Sequence, residues 1–187
     1  MGKYILTNVL LICLLYNESL EVYIRMPKYV ISLLVENKKG IVSHILNIFD
    51  KCDINIESLT FNECVDKKQG RININVFLDD DTAKNILSKL LEIDSVLKAD
   101  YQTEDNMNIY ELMLLKVSAR PEERGIIYKT AFAYGARIID VGQKSMTLQA
   151  VGTPDEINTI INHVKAQGIL EICRSGITSL KKGDESL

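Results

Sequence analysis

Tryptophan is missing from this chain of 187 residues, and only 6% of its residues are aromatic. A platform that stacks the bases of single-stranded nucleic acid is thereby disfavoured. An excess of positive charge is missing too. Lys and Arg number 22 against 25 Asp and Glu, a formal net charge of −3, whereas phosphate-driven binding needs the opposite sign. The two histidines, His44 and His163, are far apart, and Cys13, Cys52, Cys64 and Cys173 form no Cys-x-x-Cys pair. No metal-ligand spacing can be read from them, and reduced thiols in a cytoplasmic protein are expected. The apolar run "ILTNVLLICLLY" (5–16) is shorter than the ~20 residues of a membrane span, and no small-residue cleavage site follows it. No membrane association is expected.

Catalytic patterns are also absent. There is no Gly-x-Gly-x-x-Gly fingerprint and no P-loop. Ser43 and His44 adjoin on a predicted helix, where neighbouring side chains diverge by about 100°. The acidic run Asp79–Asp81 reads as a helix-capping turn, since carboxylates suit a helix start. No catalytic residue and no metal ligand is expected in this chain.

What is present is alternating periodicity. "KYVISLLVE" (28–36) is a near-continuous apolar strand, and "GIVSHILNIFDKC" (40–52) places Ile41, Ile45, Ile48 and Phe49 on one helical face. "INIESLTF" (54–61) reads as a strand. "RININVFL" (71–78) alternates Ile72, Ile74, Val76 and Leu78 against Asn73, Asn75 and Phe77, as a half-buried strand does. "DDDTAKNILSKLLEI" (79–93) predicts a capped helix with Ile86, Leu87, Leu90 and Leu91 inward, and "VLKADYQT" (96–103) a closing strand. The order is β-α-β-β-α-β, the ferredoxin-like arrangement. One sheet face would be left to a mixed set including Ser32, Leu34, Asn73 and Phe77, and such a layer needs a partner.

After a polar linker, 104–108, the order repeats: a strand at 110–119, a helix at 121–135, strands at 136–142 and 145–152, a helix at 153–168 and a strand at 169–176. Thr153 and Glu156 predict a capping box, and Gly168 a helix end. The fold class expected is α+β, two ferredoxin-like βαββαβ units. Residues 1–25 read as an extension with Met26 as the natural start. The first domain then spans 26–103 and the second 109–182; the run "LKKGDESL" (180–187) reads as a solvated end, with 183–187 as the tail.

One junction carries candidate chemistry. In "VENKKGIVSHIL" (35–46), Gly40 stands at the first turn of a helix without a Cβ to block an approaching ligand. The amides of Gly40, Ile41 and Val42 can receive a carboxylate or phosphate. Ile41 and Val42 add an apolar neighbour, and the Asn37 carbonyl can accept from an ammonium. An α-amino acid with a small aliphatic side chain has those three needs. Lys38 and Lys39 oppose the helix dipole but raise the potential for an incoming carboxylate. On spacing alone the plainer reading, a tightened turn with Asn37 as its cap, is the one favoured.

The stretch "LLVENKKGIVSHILNIFDKCDINIESLT", with "ELMLLKV", "IIDV" and "RSGITSLKKGD" in the same order further on, resembles the small regulatory subunit of acetolactate synthase (acetohydroxyacid synthase). The likeness covers roughly 26–184; residues 1–25 have no counterpart in it. The resemblance implies an N-terminal ACT domain, a ligand sensor that dimerises through edge-to-edge sheets, followed by a C-terminal domain of similar topology. It implies a branched-chain amino acid effector, valine foremost, at the dimer interface. The helix start of Gly40, Ile41 and Val42 would take its carboxylate, with Asn37 alongside. Asn55, with Ile56 next to it, would reach across from the other protomer. No cofactor is implied in this chain; thiamine diphosphate, Mg²⁺ and FAD belong to the catalytic large subunit, the implied partner. A free-standing ACT-domain sensor for another enzyme or a transcriptional regulator is the alternative.

Overall fold

The computed structural model describes residues 27–187. The expected extension over 1–25 and the start at Met26 lie outside the described residues.

The first unit runs β1 (Lys28–Glu36), α1 (Ile41–Lys51), β2 (Ile56–Glu63), β3 (Gln69–Phe77), α2 (Asp80–Leu91) and β4 (Val96–Thr103). Its antiparallel sheet has the order β2-β3-β1-β4. Both helices lie on one face. Ile41, Ile45 and Phe49 of α1, and Ala83, Ile86 and Leu90 of α2, close over Ile31, Leu33, Ile72 and Ile74. Fully burying each such large side chain stabilises by about 1.5–3 kcal/mol. The helix phase departs from expectation at its flanks: Leu91 is exposed and Leu87 half-buried, because Ala83 lies over the sheet one turn before Ile86. Asp79 caps α2, accepting from the Thr82 amide at 2.8 Å. That bond holds the Asp79 carboxyl below the usual carboxylate range.

The second unit runs β5 (Met107–Ser118), α3 (Arg124–Ala133), β6 (Arg137–Val141), β7 (Ser145–Gly152), α4 (Pro154–Val164) and β8 (Ile169–Arg174), with a short strand β9 (Thr178–Lys181) after it. Its sheet order, β6-β7-β5-β8, repeats that of the first unit, and β9 pairs with the start of β5. The Thr153–Glu156 capping box forms as the spacing predicts. Two elements are shorter than expected. The α3 helix starts at Arg124, since Arg120 to Glu123 form a turn in which the Glu123 amide donates to the Arg120 carbonyl at 2.9 Å. The α4 helix tightens into a 3-10 turn, Lys165–Gln167, before Gly168.

Three further expectations change. The run read as a linker is a 3-10 turn, Glu104–Asn106, and the start of β5. The run "LKKGDESL" read as a solvated end begins inside β9. The open face of the first sheet is covered from within the chain. Met107 and Ile109 of β5 and Ile177 pack on Val30. Thr60 Oγ1 donates to the Ile177 carbonyl at 3.1 Å, and Arg71 to the Ser179 carbonyl at 3.2 Å. Lys181 pairs with Asp100 at 2.8 Å. Hence Ser32, Asn73 and Asn75 are buried rather than solvated. Ser32 meets its hydrogen-bond need by donating to Asn73 Oδ1 at 3.0 Å.

Candidate functional site

The β1–α1 junction is pinned on both sides before Gly40 is reached. The Glu36 amide donates to the Ser95 carbonyl at 2.8 Å and the Asn37 amide to the Lys68 carbonyl at 2.7 Å. The Asn37 side-chain nitrogen donates to the Lys67 carbonyl at 3.0 Å and reaches Glu63 at 3.5 Å. Asn37 is therefore fixed by the β2–β3 hairpin and does not cap the helix. With its nitrogen engaged, its carbonyl oxygen is the atom left to accept. The hairpin partners were not legible as site residues, because nothing in the local pattern brings residues 63 and 67 beside residue 37.

Gly40 stands as the N-cap of α1 with φ 87° and ψ −6°, and α1 carries no capping side chain and no acidic residue in its first turn. That left-handed conformation is costly for residues with a Cβ. A Cβ at Gly40 would meet nothing within 4 Å, so the space in front of the helix is open. Of the three amides expected to face a ligand, that of Ile41 donates weakly to the Lys38 carbonyl, at 3.3 Å. Those of Gly40, Val42 and Ser43 donate to no acceptor among the described residues. Ile41 is buried in the core, so its side chain cannot form a wall; Val42 is half-buried and can. Lys38 pairs with Glu36, which offsets much of the attraction expected of it, and this pairing holds the Glu36 carboxyl below the usual range. Lys39 is exposed.

Asn55 and Ile56 sit elsewhere. Asn55 is exposed just before β2, and Ile56, half-buried, pairs with Val76. The 11 residues of α1 separate them from Gly40, about 16 Å of helix. One copy of the chain thus holds Asn37, Gly40 and Val42 at one end of its sheet and Asn55 at the other.

The matching junction of the second unit is built differently. Glu123 stands as the N-cap of α3, with φ −90° and no capping side chain. The next residue, Arg124, donates to the Gly142 carbonyl at 2.8 Å and the Gln143 carbonyl at 3.0 Å, tying the helix start to the β6–β7 turn. Of the two junctions, the first alone carries its N-cap in the left-handed region. Among the described residues, no group of three or more His, Cys, Asp or Glu side chains could hold a metal ion, and no helix is long and apolar enough to cross a membrane.

Comparison with known proteins agrees with this architecture. Residues 31–98 match the family model described as the AHAS small subunit-like ACT domain, and residues 110–183 that of the small subunit of acetolactate synthase. The chain is 32% identical over 161 residues to the acetolactate synthase small subunit of Mycolicibacterium smegmatis, covering 86% of this chain and 95% of that protein. It is 31% identical over 158 residues to the probable acetolactate synthase small subunit of Archaeoglobus fulgidus, covering 84% and 99%. Its fold is similar to the crystal structure of the small subunit from Thermotoga maritima, with a TM-score of 0.76 and 25% identity over 84% of this chain and 99% of that one. Two repeated ferredoxin-like units, an ACT-type first unit and these matches over both halves place the chain in the acetolactate synthase small subunit family.

Proposed function

We propose that this chain regulates acetolactate synthase without catalysing a reaction itself. It stimulates the thiamine-diphosphate-dependent large subunit and makes it sensitive to a branched-chain amino acid, valine foremost. The effector lies between the ACT domains of two copies. The observation that carries this reading is the separation of the two half-sites. Strand β2 is an edge strand, paired on one side with β3 alone. An exposed strand edge is a template for pairing with another chain. Two copies joined antiparallel through β2 would set the start of one β2, with Asn55 and Ile56, beside the end of the other. That end holds Glu63, which Asn37 touches. The pairing brings Asn37, Gly40 and Val42 of one protomer to Asn55 of the next. The carboxylate then meets the Gly40, Val42 and Ser43 amides, and the ammonium the two asparagine carbonyls. An amino acid bound across the seam favours one arrangement of the dimer, and that arrangement sets the activity of the large subunit.

A mixing experiment tests the shared site. Asn37→Ala and Asn55→Ala chains each lose valine binding in calorimetry. Unfolded, mixed and refolded together, they form heterodimers with one intact site and one doubly damaged site. Binding therefore returns to about half the sites of a heterodimer. If mixing restores none, the site does not span two protomers. The alternative, a free-standing sensor for another enzyme or a transcriptional regulator, predicts that stimulation of the large subunit is absent while amino acid binding persists.

A further inference from the structure

The seam between the two units is closed at one end and open at the other. Around Met107 and Lys181 only about 10 Å³ is left, room for a single water. Near Gly176 the seam opens into a polar cleft of about 330 Å³, lined from the first unit by Lys28, Glu57, Ser58 and Asn75 and from the second by Glu111, Asn158 and Arg174. This cleft is distinct from the Gly40 helix start, and the reading above assigns it no role.

Its polar groups are held in place before any ligand arrives. Arg174 grips the buried Glu111 with Nε, at 3.0 Å, and with Nη2, and donates from Nη1 to Asn158 Oδ1 at 3.0 Å. A guanidinium has five N–H donors, so two remain. Lys28 is paired with Glu104 at 2.6 Å. Asn75, in the amide orientation its neighbours favour, accepts from Lys28 at 3.3 Å and donates to the Tyr29 carbonyl at 3.2 Å. Each keeps a further N–H by the same count. Ser58 Oγ is buried without a hydrogen-bond partner among the described residues, and a buried hydroxyl left unpaired is costly. Spare donors of both units thus line one cleft, and its two cations are each paired, Arg174 with Glu111 and Lys28 with Glu104. Donors held in this way suit a carboxylate.

We propose that this cleft binds a short carboxylic acid, and that its carboxylate bridges Arg174 of the second unit and Ser58 of the first. The bound acid ties the units together across the seam.

Lactate is the probe, with lactamide as the uncharged control. Binding is followed on the full chain by calorimetry and by chemical shifts of the Arg174 side chain. Saturable binding of lactate is expected, with none of lactamide. Two substitutions spare the fold. Ser58→Ala removes the unpaired hydroxyl, and Asn158→Asp sets a second carboxylate on Arg174 to compete with the ligand. Each is expected to weaken binding by about tenfold or more. A Gly40→Asp chain, impaired at the other site, is expected to bind the probe unchanged, so the two readings fail separately. No saturable binding up to about 10 mM, or binding indifferent to both Ser58→Ala and Asn158→Asp, overturns the proposal.

Discussion

Replacing Gly40 by aspartate puts a carboxylate where the ligand's own is proposed to lie. Nothing stands within 4 Å of a Cβ at this position, so the side chain fits. The backbone cost comes from the φ of 87°, about 1–2 kcal/mol for a residue with a Cβ. An N-cap carboxylate accepts from the second and third helical amides where the cap backbone is extended, as at Asp79, and the left-handed backbone at position 40 denies aspartate that gain. Those amides belong to Val42 and Ser43, which have no acceptor now. The net change in stability is expected to stay within about 2 kcal/mol. Binding changes far more. Two carboxylates about 4 Å apart at an effective dielectric near 20 repel by about 4 kcal/mol, roughly a thousandfold in affinity. Gly40→Ala separates charge from conformation: it carries the same backbone cost without the repulsion and is expected to hold valine within about tenfold of the wild type. Calorimetry with valine on the three chains, beside their melting curves and their stimulation of the large subunit, reads all of this at once. If the aspartate chain melts near the wild type and binds valine as tightly, the helix start does not receive the carboxylate.

The Arg174–Glu111 pair joins a half-exposed guanidinium to a carboxylate whose side chain is 3% exposed. Arg174→Ala is expected to cost about 3–5 kcal/mol in denaturant unfolding by leaving that carboxylate buried and unpaired. The double change with Glu111→Leu should recover most of the loss. Gly176 has φ 76°, and a Cβ there would lie 3.1 Å from Thr60 Cγ2 and 3.4 Å from Ser58 Cβ. Gly176→Ala is expected to destabilise by about 1–2 kcal/mol and to speed hydrogen exchange of the β9 amides more than those of α1. The Tyr29 hydroxyl donates to Asp80, and this bond, with burial, pushes its pKa from 10.0 up to about 12. Folding raises this pKa, so the bond's contribution is complete below pH 10 and is lost as the pH climbs toward 12. Wild type and Tyr29→Phe should therefore converge in stability over that interval, and a constant difference would contradict it.

Much of the fold could be read along the chain because it rests on local pattern. Apolar residues three and four apart along 41–49 fix the buried stripe of α1, and alternation along 72–78 fixes the core face of β3. Thr153 and Glu156 set a helix start through bonds three residues long. Gly40 could be singled out for a like reason, since its need for a left-handed φ belongs to one residue. Contacts between distant residues were not readable in this way. Asn73 and Asn75 carry the polar signature of a solvated face, yet they are buried because β5 and β9 fold back over the sheet. No periodicity in 178–181 announces β9, a four-residue strand defined only by its pairing with 107–110. Asn37 looked like a cap and serves as a hairpin tie, since residues 63 and 67 come beside it only once β2 and β3 have paired. The chain by itself determined the repeat of elements and the glycine helix start, because propensity and periodicity act over a few residues. Tertiary structure alone decided which polar groups are buried, that Arg124 ties α3 to the β6–β7 turn, and which donors of the two units line one cleft, because each depends on residues tens of positions apart.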